Sequence, residues 1–481
     1  MKYYLVIDIG TSSLRIVNIT ETHRIVDIES LSRKAGSILD PEKEWSNIFF
    51  MLKRIIARSA GITFSGIAVS SLLGWICIDQ SGACLTPCYT YLHKETASFQ
   101  VLSRSVNLSD LSSASGRKES DEWPAFLLCR LKKENPEVYN RISALVSLKD
   151  YINFKLTNVI AMDQTTAGYT FLYDIYNHTW NSNTLQTLNL DVNNLPTIQP
   201  SWKWLGTVNP SLLKRWNISY NIAVIEGSVD GSVGVLGAGG FHCGQAVNIM
   251  GTTDVLFIVT DKPIIDQTHS LVINQHVIPG LWLVGGPMGL FGGTIDWLCH
   301  NFCTTDKTYK QLTEEASAVP IGCNGVSFFP CMSGERTPYW DSNFRGTITG
   351  LSSSHTLSEV YRSVMESEGY TLNKIFHIAA PLGINPDSLI AMGGGANNNL
   401  WLQIKSDILQ KKVLQSSMVE ATAAGSVALC LIADGIDPQY VFSSTKMNHF
   451  YPNQQVAEEY QSFCFKYWKR HDLLEDFYAL P

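Results

Sequence analysis

The sequence has few charged residues and no long apolar run, and both facts narrow what the protein can be. Asp, Glu, Lys and Arg make up 16% of 481 residues, the net charge is −7, and no segment is rich in Lys or Arg. Because nucleic-acid-binding proteins usually carry a basic surface, we expect no nucleic acid partner. No apolar stretch has the length of a membrane span, and we expect no membrane association.

The eleven cysteines lack the spacing of a zinc site, since only Cys84/Cys88 and Cys299/Cys303 form close pairs. The first apolar strand follows Met1-Lys2 directly, which leaves no room for a signal peptide. We therefore expect a cytoplasmic protein with reduced thiols.

Two common nucleotide-binding motifs are also missing. Gly393-Gly394-Gly395-Ala396 lacks the six-residue Rossmann spacing, and no Walker-type Gly-Lys-Ser/Thr lies near it. This loop still follows an apolar strand and precedes a helix, an order typical of nucleotide binding. Alternatively, its glycines only let the helix pack closely on the strand.

The sequence does contain a polar turn near its start. Tyr3 to Ile9 and Leu14 to Ile19 are predicted strands, and the turn between them consists of Gly10, Thr11, Ser12 and Ser13. A glycine lets backbone N–H groups approach an anion, and the hydroxyls together with Asp8 suit a phosphate and its metal ion.

Two charged residues flank this turn. Asp8 is a candidate Mg²⁺ ligand through water, because that ion prefers carboxylate, phosphate and solvent oxygen. Arg15 is a candidate to neutralise a transferring phosphate. The alternatives are a carboxylate that caps the turn and an exposed strand arginine.

A second turn repeats the pattern about half a chain later, where Gly251-Thr252-Thr253 separates two apolar strands. Two such turns indicate two related halves that bind a common phosphate. Since 481 residues exceed one ordinary core, we expect domains at 1–240 and 241–481, divided at Gly239-Gly240.

Asp230 is the best candidate for chemistry. It follows an apolar strand and begins a helix of small residues, and phosphoryl transfer to an alcohol needs a carboxylate near the attacking hydroxyl. The helix N-terminus is expected to keep Asp230 ionised. The alternative is a simple N-cap.

Two segments outside these motifs also have expected structures. Tyr89 to Asp121 is expected to be an irregular region that covers a site, and Val138 to Leu145 is expected to form a helix.

Taken together, these residues resemble the FGGY carbohydrate kinases. Five motifs carry the resemblance in the family's order: Asp8 to Ser13, Gly227-Ser228-Val229-Asp230, Gly251-Thr252-Thr253, Ser333 to Pro338 with Arg345-Gly346 to Gly350-Leu351, and Met392 to Asn399. The resemblance implies two actin-like, ribonuclease H-like α/β domains with an active-site cleft between them. It also implies transfer of the γ-phosphate of Mg-ATP to a hydroxyl of a sugar or sugar acid, and homodimers are usual among similar enzymes.

By the same resemblance, Asp230 is the catalytic base, and the two turns bind phosphate. The residues implied to line the adenine and ribose pocket are Gly292, Asp296, Gly394, Gly395 and Asn398.

The acceptor segments look most like those of gluconate kinases, with ketopentose kinases such as xylulokinase next. The chain departs from the family at Leu73-Gly74, where Met-His is usual, and at Tyr91 to Glu95, where Trp-x-Asp-x-Arg is usual. Transfer of a substrate by analogy is therefore unsafe. The remaining candidates for acceptor contact are Trp75, His93, Lys94 and Glu335. The alternative is a protein of another functional class, an actin-like ATPase or sensor without acceptor chemistry.

Overall fold

Contacts along the chain divide it into two compact units. The computed structural model describes residues 1–33, 36–303, 308–418, 420–442 and 447–480. In their described parts, unit 1 comprises Met1–Gly237, Asn274–Leu281 and Glu420–Ser444, and unit 2 comprises Ala238–Ile273, Trp282–Val419 and Thr445–Pro481. The chain thus first leaves unit 1 close to the predicted division at residue 240, and two later segments return to it.

The first 237 residues alternate short strands with helices. The strands are β1 (Tyr3–Ile9), β2 (Ser13–Thr20), β3 (Ile25–Ser32), β4 (Ile38–Leu39), β5 (Phe64–Ser71), β6 (Gly74–Ile78), β7 (Cys88–Thr90), β8 (Ala144–Ser147), β9 (Ala161–Asp163), β10 (Tyr173–Asp174), β11 (Thr179–Trp180), β12 (Thr197–Gln199), β13 (Trp204–Thr207), β14 (Ala223–Ile225) and β15 (Ser228–Val229). The α-helices are α1 (Pro41–Arg58), α2 (Thr96–Ser103), α3 (Ser109–Ser115), α4 (Pro124–Glu134), α5 (Pro136–Tyr139), α6 (Leu148–Thr157), α7 (Gln164–Ala167), α8 (Ser182–Thr187), α9 (Pro210–Arg215) and α10 (Asp230–Gly237).

The rest of the chain contains the second set of elements. The strands are β16 (Gln245–Met250), β17 (Asp254–Thr260), β18 (Val272–Gln275), β19 (Trp282–Gly289), β20 (Ser327–Phe329), β21 (Thr347–Thr349), β22 (Ser388–Met392), β23 (Lys412–Ser416) and β24 (Met447–Phe450). The α-helices are α11 (Phe291–Phe302), α12 (Tyr309–Ser317), α13 (Leu357–Ala379), α14 (Asn399–Leu409), α15 (Ala421–Ala433), α16 (Pro438–Val441) and α17 (Ala457–Tyr478). Of these, α15 and α16 belong to unit 1.

Unit 1 is built on a mixed sheet around β1. The strand order is β13-β14-β5-β1-β2-β3, with β15 also paired to β5. β1 runs antiparallel to β2 and parallel to β5. Tyr4 to Ile7 are fully buried, because α1 and α6 supply apolar side chains to the core and α15 packs on β1 and β5. Asp8 therefore stands at the end of a strand held firmly in a core.

Unit 2 repeats this arrangement. β16 runs antiparallel to β17 and parallel to β22, in a sheet of order β18-β19-β17-β16-β22-β23-β24. Each Gly-Thr turn thus joins a central strand to its antiparallel neighbour. This confirms the repeat that the two turns predict.

Two expectations about the region after β7 are wrong. The segment from Tyr89 to Asp121 is not wholly irregular, since it contains α2 and α3. Residues 138–145 do not form one helix: α5 ends at Tyr139, and β8 pairs with β6. The apolar run in β8 is buried. The helix prediction failed because a short buried strand and a helix segment can have the same apolar pattern.

Among the described residues, none of the helices is both long enough and apolar enough to cross a membrane.

Helices α10 and α15 approach each other unusually closely in unit 1. A Cβ at Gly425 would lie 2.1 Å from the carbonyl oxygen of Val233, and one at Gly237 would lie 1.8 Å from that of Ala421. The small residues of α10 therefore serve helix packing.

We predict that Gly425→Ala lowers the free energy of unfolding by about 1–3 kcal/mol, because the added methyl group forces the helices apart. Gly231→Ala is the matched control: a Cβ there meets nothing within 4 Å, and alanine favours the helix. Thermal and denaturant unfolding measure both variants. Equal melting temperatures would contradict the close packing.

Candidate active site

The first turn exposes the groups that an anion needs. Gly10 N–H donates to the carbonyl oxygen of Ser13 at 2.9 Å, which closes the turn. Thr11 and Ser12 are exposed, and the hydroxyl of Thr11 lies 3.3 Å from that of Tyr91. The turn thus presents hydroxyls to solvent at the end of a buried strand.

Asp8 and Arg15 lie opposite each other beside this turn. They are register partners in β1 and β2, and their ion pair measures 2.8 Å. Arg15 also pairs with Glu420 at 2.7 Å, and Ser70 Oγ lies 3.4 Å from Asp8. Burial raises the pKa of Asp8, while Arg15 and Ser70 oppose that shift. The guanidinium predicted to neutralise a phosphate is thus held between two carboxylates.

Asp230 lies on the same sheet edge. β15 pairs with Ser70 and Ser71 of β5, and Asp230 follows β15 directly as the first residue of α10. The Gly231 N–H donates to Asp230 Oδ1 at 2.7 Å. The structure therefore brings Asp8, Arg15, the first turn and Asp230 together within unit 1.

The electrostatic environment of Asp230 differs from the sequence expectation. Burial and the negative charge of Asp8 raise the pKa of Asp230 to about 6, against the Gly231 N–H and Arg15. Burial and Asp8 thus outweigh the helix N-terminus, which sequence reasoning expected to keep Asp230 ionised. A carboxylate with a pKa near 6 is still mostly ionised at neutral pH and is a better proton acceptor than an ordinary aspartate.

The second turn lies in unit 2 against the start of α11. Gly293 N–H donates to the carbonyl oxygen of Thr252 at 3.0 Å. A Cβ at Gly292 would lie 2.0 Å from the carbonyl oxygen of Gly251, so only glycine fits there. Gly251 and Thr252 remain exposed, and Thr253 is half-buried.

The glycine loop after β22 also packs on the end of β16. Gly393 has a φ of 93°, and a Cβ there would lie 2.6 Å from the carbonyl oxygen of Met250. Gly394 is exposed with open space around it. Within unit 2, the second turn, Gly292, Gly394 and Gly395 therefore cluster at the ends of β16 and β22.

The two polar candidates of the nucleotide set both contact α12. Asn398 accepts from the Trp401 N–H at 3.2 Å as the cap of α14 and donates to Thr313 Oγ1 at 3.1 Å. Asp296 is exposed and accepts from the hydroxyl of Tyr309 at 2.7 Å.

The four candidates for acceptor contact differ in burial and in their partners. Trp75 is buried in β6, and His93 Nε2 lies 3.0 Å from Glu95, which Arg130 also binds. Lys94 is exposed and pairs with Glu122 at 3.2 Å. Glu335 belongs to unit 2, where it pairs with His471 at 2.9 Å. Each of the last three already has a local partner, and their binding roles stay predictions.

Sequence reasoning missed several buried charges near the site. In unit 1, Lys149 of α6 contacts Asp150, Asp163 and Glu226. In unit 2, Lys405 pairs with Glu368 at 2.8 Å, and burial together with Glu368 raises the pKa of Asp254 well above its usual range. The only available signal was a charged residue within an apolar segment, such as Asp254 directly after the second turn.

Comparison with known proteins identifies the family. Residues 3–237 match the N-terminal domain of the FGGY family of carbohydrate kinases, and residues 246–433 match its C-terminal domain. The chain belongs to the FGGY family of carbohydrate kinases. Family members transfer phosphate from ATP to a hydroxyl group of a carbohydrate, so the predicted class of phosphotransferase is confirmed.

Individual relatives carry more than one substrate name. The chain is 26% identical to a xylulose kinase of Staphylococcus xylosus, over 90% of this chain and 91% of that protein. It is 24% identical to a gluconokinase of Bacillus subtilis, over 99% and 97%.

Solved structures support the fold. A gluconate kinase from Lactobacillus acidophilus is similar with a TM-score of 0.90 at 22% identity, over 100% of this chain and 99% of that one. A xylulose kinase from Rhodospirillum rubrum gives 0.90 at 22%, over 99% and 100%. The predicted two-domain, actin-like α/β fold of the FGGY kinases is thus confirmed.

The pKa of Asp230 generates a prediction for this kinase. Because the group that accepts a proton must be ionised, kcat/KM for the acceptor should fall as the pH drops below about 6, where Asp230 of the free enzyme becomes protonated. The measurement is kcat/KM of acceptor-dependent ADP release between about pH 5 and pH 8. A profile that stays flat down to pH 5 would argue against Asp230 as the base.

Proposed function

We propose that this kinase transfers the γ-phosphate of ATP to a hydroxyl of a small sugar or sugar acid, with Asp230 as the catalytic base. The observation that carries the proposal is the site in unit 1. There a half-buried aspartate with a pKa of about 6 lies at the same sheet edge as Asp8, Arg15 and the exposed hydroxyls of the first turn.

The chain's own groups divide the work. Asp230 accepts the proton of the acceptor hydroxyl as its oxygen attacks the γ-phosphorus and the bond to the β-phosphate oxygen breaks. The N–H groups and hydroxyls of Gly10 to Ser13 and of Gly251 to Thr253 bind phosphate oxygens. In unit 2, the nucleoside is bound by the set Gly292, Asp296, Gly394, Gly395 and Asn398.

The acidic residues of unit 1 fit Mg²⁺. Asp8 and Asp230 are close enough for the charge of one to raise the pKa of the other, and hard oxygen ligands of this kind suit that ion. We assign Asp8 as the residue that holds Mg²⁺ through water. When bound, the ion neutralises phosphate charge. Arg15, fixed by Asp8 and Glu420, keeps the Asp8 carboxylate oriented.

Within this function, a sugar acid is favoured as the acceptor. Arg117 is 1% exposed, and burial lowers the pKa of its guanidinium, while Tyr169 and the charge of Glu122 oppose that shift. It binds the carbonyl oxygen of Gly168, the amide oxygen of Asn274 and the ring of Tyr169, a neighbour of Asp230. A buried cation whose direct contacts are neutral groups creates a positive potential that attracts an anionic acceptor. A ketopentose is the second candidate, since the xylulose kinase of Staphylococcus xylosus is 26% identical to this chain and the gluconokinase of Bacillus subtilis 24%.

The predicted compartment and assembly belong to the same proposal. The eleven cysteines are all free, and we propose that the enzyme is cytoplasmic, where thiols stay reduced. The homodimer stays a prediction from the family resemblance.

We expect Asp230→Asn to abolish acceptor phosphorylation, which means a fall in kcat of about 10²-fold or more. The affinity for ADP should change little. The amide keeps the size of the side chain but cannot accept the proton. Steady-state kinetics and calorimetric ADP titration measure the two quantities. Full activity in the variant would refute the assignment.

A panel of acceptors tests the substrate class. Aldonates such as gluconate should stimulate ADP release and raise the melting temperature together with an ATP analogue, because a ligand of the native state stabilises it. Ketopentoses such as xylulose should do so less. A preference for xylulose would select the second candidate, and no stimulation by any compound would favour an ATPase or sensor.

A further inference from the structure

The segment that leads into Asp230 is held at each of its residues. Glu226 N–H donates to the carbonyl oxygen of Lys203 at 2.9 Å, and Gly227 N–H donates to that of Ser201 at 3.0 Å. Gly227 has a φ of 71°, and a Cβ there would lie 2.1 Å from the carbonyl oxygen of Val69. The backbone thus lies against β5 and then pairs with it in parallel just before the catalytic residue.

Lys149 fixes the first residue of this segment. Its ammonium donates to Glu226 Oε1 at 2.7 Å and to the backbone carbonyl oxygen of Glu226 at 3.1 Å. Asn153, one helical turn further along α6, donates to the same carbonyl oxygen at 2.8 Å. All three residues are buried, so water does not compete for these bonds.

Asp163 fixes the third residue. Its Oδ2 accepts from Ser228 Oγ at 2.6 Å, from Ser201 Oγ at 3.1 Å and from the Thr166 N–H at 3.1 Å. Its Oδ1 lies 3.4 Å from Lys149. One lysine and one aspartate therefore hold residues 226 and 228, four and two positions before Asp230.

The negative charges of this cluster are balanced by a lysine. Asp150, Asp163 and Glu226 offer oxygens within 4.8 Å of one another, as a cation site would. Lys149 already supplies the cation: burial disfavours its charge, but the three carboxylates outweigh burial and raise the pKa of Lys149. Burial, Asp150 and Asp163 raise the pKa of Glu226 to about 8. Loss of Lys149 would leave uncompensated buried carboxylates.

We propose that Lys149 and Asp163 are positioning residues, which set the place of the Asp230 carboxylate by holding Glu226 and Ser228. The proposal rests on the assignment of Asp230 as the base. A displacement of about 1 Å in a catalytic group costs on the order of 10²-fold in rate, and this network removes the freedom for such a displacement without touching the substrates.

Two serines that donate to the same Asp163 oxygen provide a matched test. Ser228→Ala removes the bond inside the segment, and Ser201→Ala removes an equivalent bond outside it. Both are fully buried, so similar losses of melting temperature are expected. Ser228→Ala should lower kcat by about ten-fold or more. The KM for ATP and the Kd of ADP should stay within about two-fold, because the substitution does not touch the nucleotide. Ser201→Ala should keep kcat.

Equal kcat values in the two variants, at equal stability, would overturn the positioning role. That failure differs from a failure of the proposed function, which the Asp230→Asn variant reports independently. Lys149→Met provides a second measurement: if enough folded protein is recovered for ADP titration, its kcat should fall at unchanged Kd. Normal kcat in that folded variant would also contradict the inference.

Discussion

Parallel pairing on both sides of β5 decides where the chemistry of unit 1 can occur. β1 lies on one side of β5 and β15 on the other, and all three run in the same direction. Their carboxyl ends therefore meet at one sheet edge, which places Asp8, Ser70 and Asp230 next to each other. The apolar core beneath β1 keeps that edge fixed, and the pKa of Asp230 follows from its burial there beside a second carboxylate.

The cost of burying these charges explains the surrounding residues. An isolated buried carboxylate is unfavourable, and so several acidic groups near the edge have a cation beside them. Arg15 serves Asp8 and Glu420, and Lys149 serves Asp163 and Glu226. In unit 2 a buried lysine likewise compensates buried carboxylates, since Lys405 lies beside Glu368 and Asp254. In both units the lysine lies on a helix, Lys149 on α6 and Lys405 on α14.

Local patterns predicted the strands, turns and glycine loops well, because hydrophobic alternation and turn residues act over a few positions. The first and second turns, Asp230 at the start of α10 and the loop after β22 were all found in that way. The partners were not found. Glu420 lies 405 positions from Arg15, and Glu226 lies 77 positions from Lys149, so only the fold joins them. The raised pKa of Asp230 likewise depends on burial, which the sequence does not display.

The repeated fold also explains why the two turns suit different tasks. In unit 1 the residue two positions before the turn glycine is Asp8, whereas in unit 2 that position is Ile249. The carboxylate nearest to the second turn, Asp254, is buried beside Glu368 and Lys405. The second turn therefore offers N–H groups and hydroxyls beside a buried carboxylate, which suits the phosphate-binding role that we propose for it. The first turn combines the same donors with carboxylates, which favours a metal ion and proton transfer. In the proposed function one backbone pattern thus supports both tasks, and the charge of a single strand position separates them.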